Sequence, residues 1–240
     1  MLNCDLHVHT IKSRCGYCSH LEMMNQAAEI GLQAIAITDH GSCSGGYISQ
    51  ALFRIPECYR GVRIFKGVEV NINEKIEDIG LPKKYLNEFD LVLAGYHYKL
   101  SGEESAERNS EHLIKFFDKH PYIDIITHSS IKTFPLVFSA VVPELVKRGV
   151  VFEINNKNLK SGKTNTDNLN RMIDLVLENN GLFAFNSDAH TIWELGDDSG
   201  IMGFLNSNKR IPENSIMNLN LSGVEEFVKS RKELKFFYKS

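Results

Sequence analysis

Short runs of β-branched and aromatic residues alternate along this chain with longer runs whose apolar positions recur at helical spacing. Seven of the short runs read as strands: "NCDLHVH", "QAIAITDH", "VRIFKGVEVNI", "FDLVLAGYH", "YIDIITHS", "GVVFEINN" and "GLFAFNSDAH". The first helical run is "SHLEMMNQAAEIG". There Ser19 and Glu22 form a capping box, Leu21, Met24, Ala28 and Leu32 supply an apolar stripe, and Gly31 is the stop. Further helices are predicted near 47–58, 104–119, 137–149 and 165–180. Strands separated by helices make βα units and a parallel sheet, and seven such units favour a closed or distorted α/β barrel over an open sheet. No linker, repeat or low-complexity tract divides the chain, so residues 1–240 read as a single domain.

The polar positions inside these strands are unusual. In "DLHVHT", strict alternation puts Asp5, His7 and His9 on one face and Leu6 and Val8 on the other. The apolar pair suits a core, and the polar face suits a metal site. The other strands end in the same residue types: His40 in "TDH", Glu69 in "GVEVN", His97 in "AGYH", His128 in "ITH", and Asp188 and His190 in "SDAH". In a βα barrel the carboxyl ends of the strands share one rim, where chemistry gathers. Two acids and six imidazoles crowded there without a cation would leave polar groups unpartnered away from water. A multinuclear metal centre removes that cost. His20, His112 and His120 fall in helical runs.

Composition narrows the function. The net charge of −3 gives no footprint for long nucleic acid and no basic helix for a membrane surface. The start of the chain has no basic, apolar leader, and no run is long enough to span a bilayer. The five cysteines, Cys4, Cys15, Cys18, Cys43 and Cys58, are odd in number and clustered, which fits reduced thiols in a cytoplasm. A zinc knuckle or redox pair at "CGYC" lacks the surrounding pattern it needs. Cys4 and Cys58 read as small core or interface residues, and Cys43 as either buried or lining a pocket.

In order and spacing, "DLHVHT", "ITDH", "GVEVN", "AGYH", "ITH", "FEINN" and "NSDAH" resemble the PHP (polymerase and histidinol phosphatase) superfamily, and in particular its small stand-alone phosphatases of the YcdX type. The resemblance runs from residue 2 to about 196. It implies a distorted TIM-like (β/α)7 barrel with two to three divalent ions (zinc, manganese or iron) at the C-terminal ends of the strands, and hydrolysis of phosphate esters. Carried over, it makes His7, His9, Glu69 and Asp188 ligands of one ion. Glu69, His97 and His128 would hold a second, with Glu69 bridging, and His40 and His190 belong to a third. The family places a histidine where this chain has Cys15. That thiol either ligates zinc or iron, leaves the third site weak or empty, or gives way to His20 or Cys18. After His128 the family often continues with proline, whereas this chain reads "HSSIKTFP".

The chemistry expected of such a centre is hydrolysis of a phosphomonoester by a metal-bridging hydroxide, with ions roughly 3.5–4 Å apart. Asp188 would orient the nucleophile, and His190 or the third ion would assist the leaving oxygen. Fixed positive charge for phosphate is sought in Arg14, in the cluster Lys157, Lys160 and Lys163, and in Arg171; Arg14 and Lys160 lead. The expected substrate is a small phosphorylated metabolite. The alternatives are a nuclease or nucleotide phosphatase, and a metal-stabilised binding or structural domain without turnover. The loops 41–60, 98–110 and 129–136 carry no readable substrate code. Periodicity leaves open whether the tail "RKELKFFYKS" packs on the barrel or mediates homo-oligomer formation.

Overall fold

The computed structural model describes residues 2–73, 75–76, 79–97, 105–207 and 211–238. Its strands are β1 (Cys4–Val8), β2 (Ala34–Ile37), β3 (Cys58–Tyr59), β4 (Val62–Asn71), β5 (Leu91–Gly95), β6 (Ile125–Ile126), β7 (Val151–Asn155) and β8 (Phe183–Asn186). They pair in parallel in the order β1-β2-β4-β5-β6-β7-β8, with the short β3 antiparallel on β4. The sheet nearly closes on itself: Val8 bridges Ala189, and the His9 amide donates to the Ala189 carbonyl at 2.8 Å. This is the expected distorted TIM-like α/β barrel, and all seven expected strands form. Between them lie α1 (His20–Glu29), α2 (Ala106–Lys119), α3 (Phe138–Lys147), α4 (Asn156–Lys160), α5 (Thr166–Glu178), α6 (Ser199–Ser207) and α7 (Leu221–Phe237). No described helix is long and apolar enough to cross a membrane.

Several expectations are corrected. The helix near 47–58 is only a 3-10 turn at Gln50–Arg54; Pro56 disfavours helical backbone at Ile55, which is extended. The Ser19–Glu22 capping box forms, and Gly31 ends the element with φ +75°. The buried face of α1 is Met23, Met24 and Ala27, however, while Leu21 is exposed. Cys4 is buried as expected, but Cys58 is exposed on β3, where a two-residue edge strand has no layer above it. Positions 98–104 of the second substrate loop lie outside the described residues.

The interior of the barrel has two storeys. Toward the amino ends of the strands, Leu6, Ala34, Ala36, Phe65, Leu91, Leu93, Ile125, Val151 and Ala184 form an apolar floor, with Met217, Val224 and Val228 packed beneath. Two residues further along the same faces the side chains turn polar: Phe65 leads to Gly67 and Glu69, Val151 to Glu153, and Ala184 to Asn186. The intervening residues, such as Val68, Val70, Phe152 and Ile154, join the larger core under the helices. In β1 the pairing register slips between Asp5 and Val8. Leu6 therefore sits in the floor and Val8 in the outer core, so strict alternation fails there. Asp5 leaves the polar cluster: it accepts hydrogen bonds from Ser187 and from the Gly196 amide at 2.9 Å, and so helps close the barrel.

The tail packs on the barrel. Arg231 and Lys235 of α7 are buried, and both pair with the fully buried Asp124 just before β6.

Candidate metal centre at the barrel mouth

Each strand delivers its polar side chain to the carboxyl-end rim. Glu69, on β4, lies at the centre. Its Oε2 sits 3.0 Å from His40 Nδ1, 3.2 Å from His97 Nε2, 3.3 Å from His7 Nε2 and 3.4 Å from His9 Nε2. Its Oε1 meets His128 Nε2 at 3.1 Å and accepts the Thr127 hydroxyl at 2.8 Å. Asp188 Oδ1 lies 3.4 Å from both His9 Nε2 and His190 Nδ1. Cys15 joins His9, His40 and His190 with all four ligand atoms within 4.8 Å of one another; His7–His9–Glu69 and His40–Glu69–His97 form two further groups of that span. Every metal-ligand position named from the sequence therefore reaches one rim, and Cys15, not His20 or Cys18, is the residue placed with His40 and His190.

Local backbone serves this convergence. His128 and Asp188 both have positive φ, at 32° and 57°, a costly conformation for residues with a Cβ. Glycine would relieve the strain but would remove the side chain. Gly95 does the opposite: a Cβ there would lie 2.1 Å from Thr127 Oγ1 and 2.6 Å from the His128 ring, so its absence makes room for that imidazole.

Buried acceptors set the imidazoles. His97 Nδ1 faces Asn71 Oδ1 at 3.1 Å, and His7 Nδ1 faces Glu153 Oε1 at 2.7 Å. His9 Nδ1 faces Ser13 Oγ at 2.9 Å, and that hydroxyl donates in turn to Asp39 at 2.6 Å. The outer nitrogens thus carry the hydrogens, and in a neutral ring Nε2 turns a lone pair inward. His7 Nε2 and His9 Nε2 stand only 2.9 Å apart. Two facing lone pairs, and four ring nitrogens around one carboxylate oxygen, are poor hydrogen bonding and good cation chelation. Among the described residues, His128 Nδ1 is also buried with no hydrogen-bond partner. The donor set fits divalent metal.

Without an ion, a proton has to do part of that work. Burial disfavours charge on His7, but Glu153, Glu69 and Asp188 outweigh it and raise its pKa well above the ordinary value. Burial pushes Glu69 up, and His97 and His7 reverse this and hold it well below the carboxylate range; His7 and His9 do the same for Asp188. His9 itself drops to about 3, chiefly through burial. Asp39 is driven up by burial, yet hydrogen bonds from His20, Ser13 and Thr10 bring it down to about 2.

Several of these supports escaped the sequence reading. Glu153 accepts from His7, the His128 amide, Asn155 and Asn186, all within 2.9 Å. The only sign of it is an acid on the inward phase of "VFEIN". His20, expected on a helix and as an alternative ligand to Cys15, instead reaches Asp39 at 3.2 Å.

The mouth opens into a cavity of about 490 Å³. Tyr96, Ile131 and Phe134 form an apolar wall, and Lys157 and Lys163 stand at the rim. Lys157 Nζ lies 2.7 Å from His190 Nδ1. Arg14, Lys160 and Arg171 are not among the described lining residues. Arg14 and Arg171 are exposed, and Lys160 instead pairs with Asp197 at 2.6 Å on the outer surface. Lys157 and Lys160, three residues apart on α4, differ in their partners: the first turns its ammonium to His190, the second to Asp197.

Residues 5–134 match the family model described as PHP domain. A probable phosphatase of Acetivibrio thermocellus is 32% identical over 95% of this chain and 96% of its own. A second, from Caldanaerobacter subterraneus subsp. tengcongensis, is 32% identical over 95% of this chain and 92% of its own. Among solved structures, histidinol phosphate phosphatase from Lactococcus lactis, complexed with zinc, L-histidinol and phosphate, aligns with a TM-score of 0.58 at 15% identity, covering 95% of this chain and 93% of that one.

Proposed function

The chain belongs to the PHP domain family, and from that premise we propose that it is a metal-dependent phosphatase acting on a small phosphorylated metabolite. The observation that carries this reading is the gathering of Glu69, Asp188 and the imidazoles of His7, His9, His40, His97, His128 and His190 at one mouth. The names of its relatives, probable phosphatases, support the reaction class.

In this reading His7, His9, Glu69 and Asp188 hold one ion, and Glu69, His97 and His128 hold a second. His40, His190 and Cys15 belong to a third. Bound divalent ions supply Lewis acidity toward the phosphoryl oxygens and a water acidic enough to attack phosphorus. The protein does the rest. Asp188 orients that water, its own position fixed by the Asn155 amide at 3.2 Å. With the third position empty, His190, within reach of Lys157, would give the leaving oxygen its proton; with an ion bound there, that role passes from His190 to the ion. Lys157 and Lys163 offer the phosphate fixed positive charge, replacing Arg14, Lys160 and Arg171 in that role. Tyr96 and Phe134, stacked at 5.1 Å, give the carbon part of the substrate an apolar wall.

A concave cavity of about 490 Å³ suits a small molecule. The net charge of −3 weighs against a long polyanion. Five free cysteines fit a reducing cytoplasm. The deciding experiment assays a panel of phosphomonoesters beside a short oligonucleotide, with manganese and then with zinc. Turnover confined to monoesters is the expected result. Turnover of the oligonucleotide alone would make the protein a nuclease. No turnover of either, together with unfolding on metal removal, would make it a structural metal domain.

A further inference from the structure

We propose that Cys15 converts one part of the mouth into a thiolate site that selects a soft ion, zinc or ferrous iron, over manganese. This inference rests on reading the mouth as a metal centre, and it adds which ion class one part of that centre takes.

Three observations place the thiol. Its sulfur shares a group with nitrogens of His9, His40 and His190, all within 4.8 Å. The loop that carries it is pinned on both sides: the Ile11 amide donates to the Cys18 carbonyl at 2.9 Å, and the Tyr17 amide to the His190 carbonyl at 2.8 Å. Gly16 presses so closely on Thr10 that a Cβ would sit 2.3 Å from its carbonyl oxygen. Cys15 is therefore held against His190 by backbone, even though its edge is exposed to solvent.

The donors then decide the ion. His9 also stands beside Glu69 and Asp188, and one nitrogen serves one ion. His40 also lies 3.0 Å from Glu69; with His9 given to the inner ion and His40 to the outer one, the outer set is Cys15, His40 and His190: one sulfur, two imidazoles and an open fourth position. That set suits tetrahedral zinc or ferrous iron, whereas manganese prefers carboxylate and water oxygen. The inner groups, built on Glu69 and Asp188, contain oxygen and nitrogen only and make no such distinction. The mouth is thus divided into a soft outer site and a harder inner one.

Cobalt(II) titration of the metal-free, full-length protein tests this directly, because sulfur bound to cobalt gives a charge-transfer band that nitrogen and oxygen do not. The wild type is expected to show the band, and so is Cys58→Ser, which removes another exposed thiol. Cys15→Ser should lose the band and bind one fewer zinc ion, with affinity at that site down more than about tenfold, since even outer partners of ligands cost that much. Its circular dichroism should be unchanged. Cys15→His should restore the stoichiometry without the band and raise manganese affinity. A band that survives in Cys15→Ser, or cobalt bound by wild type with no band, overturns the thiolate site while leaving the inner metal centre standing. No cobalt bound at all overturns both.

Discussion

The two ends of the barrel both bury charge, and they handle it in opposite ways. At the floor, Asp124 is matched by two cations from α7. Arg231 Nε reaches one oxygen at 3.0 Å and Lys235 Nζ the other at 2.7 Å, and the Val92 amide adds a third bond at 2.8 Å. Three further guanidinium hydrogens go to the carbonyls of Arg148, Pro121 and Ile123, and the ammonium also donates to the Asp90 carbonyl. At the mouth, Glu69 and Asp188 face imidazoles whose hydrogens are already committed outward to Asn71, Ser13 and Glu153. At the floor the buried carboxylate finds all its partners within the chain, and they hold α7 to the barrel. The mouth is incomplete, and the missing charge has to come from outside the polypeptide. Buried charge satisfied within the chain marks architecture, and buried charge that is not marks a site of chemistry.

The sharpest way to break this contrast is to neutralise the centre of the mouth. Glu69→Gln should cut kcat by about 10³-fold or more, since it removes the shared ligand of two groups. The metal-free variant should stay folded, because the floor is untouched. The reciprocal change, Asp124→Ala, leaves Arg231 and Lys235 buried and unpaired. It should lower stability by about 3–5 kcal/mol in chemical denaturation and leave metal content unchanged. If Asp124→Ala also emptied the mouth, the two ends would be one cooperative unit and the contrast would fail.

A smaller effect is expected one layer out. Ser13→Ala takes from His9 the acceptor that sets its tautomer and should weaken metal binding about 10–100-fold, read by competition with a chromogenic chelator. The mildest effect is on pH dependence. His7 in the metal-free protein has a raised pKa. Its proton therefore stabilises the folded state fully below the unfolded value near 6.5, and that contribution fades as pH rises through the higher folded value. The Tm of the metal-free protein should fall across this alkaline window. An ion that displaces the proton should remove the trend. Equal pH profiles with and without metal would contradict it.

How far the sequence carried follows from what each signal reports. The seven strands and the gathering of polar residues at the rim were legible because parallel βα units align the carboxyl ends, and polar residues at inward positions stand out against β-branched runs. Cys15 was legible as a departure at a ligand position. The supporting shell was not, because Glu153 and Ser13 look like ordinary strand and turn residues until their partners, distant by as much as 146 positions, are brought beside them. The phase of β1 was misread at Asp5 because a register slip leaves no mark in an alternating pattern. Lys157 rather than Lys160 reaches the mouth because the Lys160 ammonium is drawn into a salt bridge with Asp197, a partner 37 positions away that the sequence does not reveal.

The most direct test of the claim that the mouth depends on outside cations is elemental analysis of freshly purified wild type, Glu69→Gln and Asp124→Ala side by side. The account predicts about two to three transition ions per chain in wild type, the same number in Asp124→Ala, and a clear loss in Glu69→Gln. Wild-type protein with no stoichiometric ion, or Glu69→Gln with the full complement, would contradict it.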